Sequence, residues 1–211
     1  PLYRLAFSIR ANNLAAQQID ILHDVAGKVA VDSCSFKSPE IVLIIGEAYN
    51  KRHSQLYGYE YETTPRQLQL EKGSLVKFDD VVAPWNLTSY VFKHFMSTYT
   101  VGDSGAWCDY PLFTQVFRRA GYHVSFLTNE FLPKAKQAVY DFSGGFFLND
   151  PVLSNLQFDS RNKKLHIFDE GLLHDYRQMS EERRQKGDTL QRGNITIFHL
   201  TGQHQDYRIR C

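Results

Sequence analysis

The sequence lacks an apolar stretch long enough to cross a membrane. Its longest aliphatic run, Ile41 to Ile45, is far shorter than the roughly 20 residues that a bilayer-spanning helix needs. The chain opens with Pro1 and shows no basic start followed by an apolar run, so we expect no signal peptide in it. Its 211 residues suit one α/β domain, or most of a larger one.

The sequence also has little excess charge and few cysteines. Its formal net charge is +1, so bulk charge gives no argument for a nucleic-acid partner. The three cysteines, Cys34, Cys108 and Cys211, show no CxxC spacing, which excludes a standard cysteine zinc site. Their odd number leaves at least one without a partner in the chain, and buried thiols are the simplest interpretation.

Short β-branched runs alternate with helical patterns beyond residue 39, after an amphipathic helical segment over 1–30 and a linker over 32–39. The first segment either packs against a core or lies near a membrane surface. The apolar runs are typical of parallel strands buried on both faces, which predicts a mainly parallel sheet covered by helices. Strands are predicted at Ile41–Gly46, Val76–Val82, Val124–Leu127 and Ile195–Leu200, and helices at Thr88–Ser97, Pro111–Ala120 and Glu170–Lys186.

Glu47 directly follows the first predicted strand, and ligands of open α/β sheets bind beyond the carboxyl ends of the strands. A carboxylate in this place is poorly solvated unless it has a partner. A metal ion would satisfy Glu47, and the alternatives are a helix N-cap or a salt bridge with Lys51 or Arg52.

Thr88 and Ser89 lie in the first turn of a predicted helix, for which Asn86 is a candidate N-cap. The backbone N–H groups and positive end of a helix favour an incoming phosphate. A hydroxyl there can attack phosphorus if a metal lowers its pKa. The alternative is an ordinary helix start rich in Ser and Thr.

Two histidines, His199 and His204, gather after the last predicted strand, in a segment that runs to Tyr207. Histidines there suit anion or metal binding at neutral pH, although their spacing does not match a zinc helix motif such as HExxH. The alternative is a polar loop with one packed histidine.

Several motifs, in this order, resemble the phosphoethanolamine transferases of the alkaline phosphatase superfamily. Val42–Glu47, Arg52–Tyr59 and Thr63–Pro65 resemble the family's opening, in which a strand ends in Gly-Glu and a Gly-Tyr turn and a Thr-Pro follow. His199–Tyr207 resembles its His-x-x-Gly-x-His segment with a nearby Tyr. Ala120–Val124 resembles the broader sulfatase-like group.

The resemblance covers residues 39–211 and implies the N-terminal part of an alkaline-phosphatase-like three-layer sandwich, incomplete at its C-terminal side. It implies a mainly parallel central sheet. Residues 1–38 would be a juxtamembrane helical connector to missing N-terminal membrane helices, with the domain on the periplasmic face of a bacterial inner membrane.

The resemblance also implies roles for single residues. Glu47 would bind the metal, and Thr88 would be the metal-bound nucleophile, with Ser89 as the fallback. His199, His204 and Asn86 would contact substrate. The implied metal is zinc, the donor a phospholipid, and the acceptor lipid A or another surface glycan, reached through a phospho-threonine intermediate.

Two features depart from that family. The stretch Asn86–Phe92 is bulkier than the family's small-residue stretch around the nucleophile, and no Asp-His-Gly segment is present to complete the metal site. We therefore expect this chain alone to hold zinc poorly and to turn over little or nothing.

Other functions remain open from the sequence. A sulfatase would need a Cys/Ser-x-Pro-x-Arg motif, which is absent, while a phosphoglycerol transferase or phosphodiesterase of the same superfamily fits the motifs. The missing Asp-His-Gly segment also suits a non-catalytic α/β binding module.

Overall fold

A computed structural model describes residues 2–133, 146–187 and 193–202. Its helices and strands follow in the order α1 Leu2–Lys28, β1 Glu40–Gly46, α2 Pro65–Glu71, α3 Thr88–Met96, α4 Phe113–Arg119, β2 His123–Thr128, α5 Pro151–Gln157, β3 Ser160–Arg161, α6 Glu170–Gln185 and β4 Asn194–Leu200. Helices α1, α3, α4 and α6 and strands β1, β2 and β4 lie where the sequence predicts helices and strands, whereas α2, α5 and β3 were not predicted.

Within the described residues, four strands form one parallel sheet in the order β1-β4-β2-β3. β4 lies between β1 and β2 and pairs with both strands. His199 on β4 pairs with Ile45 of β1 on one side and with Thr128 of β2 on the other. All carboxyl ends therefore meet at one edge of the sheet, where the residues after each strand come together.

One face of the sheet carries most of the core. Alternate residues of the strands point to it, including Ile45, Phe126 and Ile197, and Phe92 of α3 and Leu22 of α1 pack against them. The opposite face of β2 and β4 packs against α6 through a smaller cluster of Leu127, Phe198 and Leu172. Helices thus cover both faces of the central strands, as predicted.

The prediction that β1 is buried on both faces was wrong. Val42 and Ile44 point away from the main core and are 60% and 64% exposed. The small cluster on that face joins α6 to β2 and β4, and no described residue of it comes from β1. The outward face of β1 is therefore open within residues 2–133, 146–187 and 193–202.

The strand predicted at Val76–Val82 is also wrong, because this segment is an irregular loop. Side-chain hydrogen bonds hold it in place: Lys77 Nζ donates to Leu56 O, and Tyr57 Oη donates to Phe78 O. Val76 and Val82 are 75% and 84% exposed. The apolar residues that suggested a strand therefore contribute little to the core.

Helix α1 confirms the first predicted helix and divides into two halves. Leu2 and Tyr3 near its start are more than 80% exposed, whereas Leu22 and Ala26 in its second half are 2% exposed. Among the described helices, none combines the length and the apolar character that crossing a bilayer requires.

Candidate active site

The structure brings Glu47 and Thr88 into direct contact. Glu47 is the residue after β1, and Thr88 is the first residue of α3. Thr88 Oγ1 donates a hydrogen bond to Glu47 Oε1 at 2.5 Å. This length is at the short end of the range for a hydroxyl and a carboxylate. Two residues that are 41 positions apart therefore form one polar pair at the sheet edge.

The chain turns sharply after Glu47. Ala48 has a φ of 51°, in the left-handed region that non-glycine residues seldom adopt. Such a conformation costs about 1–3 kcal/mol and persists only where the surrounding structure enforces it, often at functional sites. The turn lets the chain leave the strand while the Glu47 carboxylate stays against α3.

His199 is the third member of this group, and it is completely buried. Its Nε2 lies 3.2 Å from Glu47 Oε2, and its Nδ1 lies 3.1 Å from Thr128 Oγ1. Both ring nitrogens therefore have partners in the protein. These partners are the residue that follows β1 and the last residue of β2. The predicted contact of His199 with substrate stays a prediction.

The remaining predicted residues are placed as follows. Ser89 is buried in the first turn of α3, and Asn86 is exposed in the bend before that helix. Asn86 is not the N-cap, because the chain stays extended through Leu87 and the helix starts one residue later than an Asn86 cap requires. His204 and Cys211 lie outside the described residues.

A second polar network lies at the same edge, around Asp169, which the sequence interpretation did not single out. Asp169 Oδ1 accepts hydrogen bonds from Asn129 Nδ2 at 2.8 Å and from the Thr201 N–H at 3.1 Å. Asn129 Oδ1 in turn accepts the N–H of His166 at 3.0 Å. These bonds tie the segments after β2 and β4 to the start of α6.

The sequence contained only an indirect signal for Asp169. An aspartate directly before a helix usually caps it with its own side chain. Asp169 holds that position before α6 but makes no such cap, because its carboxylate is used by the neighbouring strand ends instead. Only the packed sheet reveals that use.

Glu47 and Thr88 could supply some of the ligands of a metal ion. A carboxylate and a hydroxyl supply oxygen ligands, and zinc accepts such oxygens beside nitrogen or sulfur. Zinc sites usually have four ligands, yet no group of three or more His, Cys, Asp or Glu able to hold a metal occurs in the part of the chain that the structure describes. Glu47 and Thr88 would therefore need further ligands from elsewhere.

No protein-family model matches the sequence. Phosphoethanolamine transferase EptC of Escherichia coli strain K12 is 23% identical over 172 residues, which are 81% of this chain and 28% of that protein. Phosphoethanolamine transferase CptA of Salmonella typhimurium is 24% identical over 172 residues, with the same coverage of 81% and 28%.

Solved structures resemble the fold. The C-terminal periplasmic domain of EptC from Escherichia coli matches with a TM-score of 0.64 and 22% identity, covering 87% of this chain and 50% of that one. A zinc complex of that domain matches with a TM-score of 0.62 and 20% identity. The soluble domain of lipooligosaccharide phosphoethanolamine transferase A from Neisseria meningitidis gives 0.57 and 18%, covering 88% of this chain and 52% of that one.

The parallel sheet and these structural matches define an alkaline-phosphatase-like α/β domain, the fold class predicted from the sequence. In sequence and in fold the chain resembles the phosphoethanolamine transferases, which confirms the resemblance drawn from its motifs. The chain spans about half the length of the solved domains and 28% of the length of the curated relatives.

Proposed function

We propose that the protein transfers phosphoethanolamine from a phospholipid to lipid A or another surface glycan, with Thr88 as the nucleophile. The observation that supports this most is the hydrogen bond from Thr88 Oγ1 to Glu47 Oε1 at 2.5 Å. The similarity to EptC and CptA, both phosphoethanolamine transferases, supports the choice of the transferred group.

The chemistry requires two displacements at phosphorus. In the first, Thr88 Oγ1 attacks the donor phosphorus, a new O–P bond forms, and the bond to the lipid alcohol oxygen breaks in line with it. In the second, an acceptor hydroxyl attacks the phospho-threonine and releases Thr88. The proton of the attacking hydroxyl leaves in each step, and the departing oxygen takes one up.

The residues of this chain would prepare the first step. Glu47 Oε1 accepts the hydrogen bond of the Thr88 hydroxyl and thereby fixes where Oγ1 points. The start of α3 presents backbone N–H groups beside it, which suit a phosphoryl oxygen. Zinc held by Glu47 and Thr88, with further ligands, would lower the pKa of the hydroxyl and offset charge on the phosphoryl oxygens.

The location follows from the same proposal. A phospholipid donor and a glycolipid acceptor require a domain close to a membrane, and the periplasmic face of the bacterial inner membrane is the place that we propose. Residues 1–38 would then be the connector to the membrane, and 39–211 the catalytic part. The matching EptC domain from Escherichia coli is periplasmic, which supports the location.

Replacing the nucleophile tests the proposal. In the intact protein, supplied with phospholipid and zinc, Thr88→Ala should lower transfer by at least about 10³-fold, because no hydroxyl remains to attack phosphorus. Thr88→Ser keeps the hydroxyl and should retain part of the activity. Mass spectrometry of the wild-type protein, trapped without acceptor, should show phosphoethanolamine on the peptide that contains Thr88.

Ser89→Ala is the matched control, because it removes the neighbouring hydroxyl of the same helical turn. Full activity of Thr88→Ala, or loss of activity only in Ser89→Ala, would show that Thr88 is not the nucleophile. Hydrolysis of sulfate esters without transfer would favour a sulfatase-like enzyme, and transfer of phosphoglycerol would favour that branch of the superfamily. Ligand binding without turnover in the zinc-loaded protein would favour a binding module.

A further inference from the structure

The surroundings of His199 leave its ring little freedom. The side chain is completely buried. Its ring centroid lies 4.8 Å from that of Phe92, 6.3 Å from that of Phe126 and 6.4 Å from that of Phe146. Aromatic rings on these sides restrict the plane of the imidazole, in which Nε2 faces Glu47 and Nδ1 faces Thr128.

The hydrogen bonds of Thr128 determine which nitrogen of His199 carries the proton. Thr128 Oγ1 accepts the N–H of Glu130 at 3.0 Å, and this hydroxyl is completely buried. Its own proton needs an acceptor, because an unsatisfied buried donor costs about 1–3 kcal/mol. Within the described ranges, His199 Nδ1, 3.1 Å away, is the acceptor that the hydroxyl can reach.

The same assignment satisfies the other end of the ring. If Nδ1 accepts from Thr128, then Nε2 carries the proton of the neutral ring. Nε2 faces Glu47 Oε2 at 3.2 Å, and a carboxylate oxygen can only accept. The opposite tautomer would leave the Thr128 hydroxyl without an acceptor and would turn an unprotonated nitrogen towards a carboxylate.

We infer that His199 is a positioning residue, which donates from Nε2 to Glu47 because Thr128 holds it in that tautomer. A series of hydrogen bonds runs from the Glu130 N–H through Thr128 and His199 to Glu47 Oε2, while Thr88 donates to Oε1. Both carboxylate oxygens are thus fixed from opposite sides. The role of these hydrogen bonds in catalysis rests on the proposed function, but the assignment of the tautomer does not.

The orientation of Glu47 follows from these hydrogen bonds. The hydrogen bond from His199 to Oε2 opposes rotation of the carboxylate away from Thr88. Loss of a hydrogen bond to such a carboxylate typically lowers metal affinity or activity by about 10–100-fold. Thr128 reaches Glu47 only through His199. In the described hydrogen bonds it contacts neither Glu47 nor Thr88.

Nuclear magnetic resonance on the intact protein tests the tautomer directly. Long-range ¹H–¹⁵N correlations of the His199 ring should show protonated Nε2 and unprotonated Nδ1 in the wild-type protein. Thr128→Val, which keeps the shape of the side chain but removes the hydroxyl, should weaken that preference, because only the Glu47 carboxylate then favours a proton on Nε2. Protonated Nδ1 in the wild type, or direct binding of added Zn²⁺ to Nε2, would overturn the inference.

Activity measurements test the positioning role. Thr128→Val should lower kcat by about 10–100-fold with little change in KM, and Thr128→Ser, which restores a hydroxyl, should recover most of the loss. Thr114→Val is the matched control. Its buried hydroxyl donates to Gln157 Oε1 at 2.6 Å, away from Glu47, so this variant should lose stability but not activity.

The outcomes separate the two proposals. Wild-type kcat in Thr128→Val would overturn the positioning role even if Thr88→Ala is inactive. Conversely, full activity of Thr88→Ala would rule out Thr88 as the nucleophile. The tautomer assignment would still stand if Nε2 of His199 is found protonated.

Discussion

At the scale of single residues, burial and a neighbouring charge give the two described cysteines different chemistry. Cys108 is 2% exposed, whereas Cys34 is half-buried. Burial raises the pKa of the Cys108 thiol, and the negative charge of Asp109 raises it further. A thiol reacts as its thiolate, so a raised pKa leaves less of the reactive form at neutral pH.

Alkylation should therefore distinguish the two thiols. At neutral pH, iodoacetamide should modify Cys34 faster than Cys108, and the rate at Cys108 should keep rising as the pH passes the ordinary pKa of a thiol. Mass spectrometry of peptides taken at several times measures both rates in one sample. Unfolding in urea serves as the control, since both thiols should then react alike. Equal rates in the folded protein would contradict this account of Cys108.

The family resemblance implied one metal site for Glu47 and Thr88, and the structure brings these side chains into contact, but the residues that support them were not predicted. Glu47 follows a strand and Thr88 begins a helix after a turn, and both positions are readable along the chain. The hydrogen bond of His199 to Thr128 joins residues 71 positions apart, and it depends on β4 lying between β1 and β2. Strand order is not encoded in the pattern of any one segment, so Thr128 and Asp169 could not be assigned these partners in advance.

At the scale of elements, the connection between α4 and β2 depends on one glycine. Gly121 has a φ of 97°, its N–H donates to Arg118 O at 3.0 Å, and the Tyr122 N–H donates to Phe117 O at 3.0 Å. This is the paired hydrogen bonding that commonly ends a helix with a left-handed residue. It turns the chain directly into the strand that carries Thr128.

Gly121→Ala should destabilise the protein by about 1–2 kcal/mol, because a Cβ disfavours the left-handed conformation. The added atom would also lie 3.2 Å from Cζ of Phe36. Gly27→Ala is a suitable comparison, since nothing lies within 4 Å of its added Cβ and it sits inside α1. Urea unfolding should show Gly27→Ala at or above wild-type stability. A Gly121→Ala protein as stable as Gly27→Ala would refute the requirement for a left-handed residue.

Two elements show why local patterns misled the prediction. Val76–Val82 is rich in β-branched residues, but Lys77, Asp79 and Asp80 interrupt it, and Lys77 pairs with Glu71 at 3.0 Å rather than leaving the segment free to join the sheet. β1 is as apolar as a central strand, yet it stands at the end of the order of the described strands. Composition indicates that a strand is apolar, whereas its neighbours decide how much of it is buried.

At the scale of the whole molecule, the second half of α1 belongs to the main core. Leu22 is one of the residues of the core cluster, together with residues of α3, β2 and β4. In the next residue, His23, Nε2 lies 3.2 Å from Asp150 Oδ1. Asp150 in turn caps α5 by accepting a hydrogen bond from the Leu153 N–H at 2.7 Å. A segment that was predicted as a connector thus also closes the core on the side of α5.

Truncating two leucines of α1 separates its packed half from its exposed half. Leu22→Ala should destabilise the domain by about 2–5 kcal/mol, because it removes a 2%-exposed side chain from a packed core. Leu14→Ala makes the same change in the same helix at a side chain that is 52% exposed, so its effect should stay within about 0.5 kcal/mol. Helix propensity changes equally in both, so the difference between their urea midpoints measures packing. Equal midpoints would mean that α1 does not pack on the sheet in solution, and the core would then have to be closed by something other than Leu22.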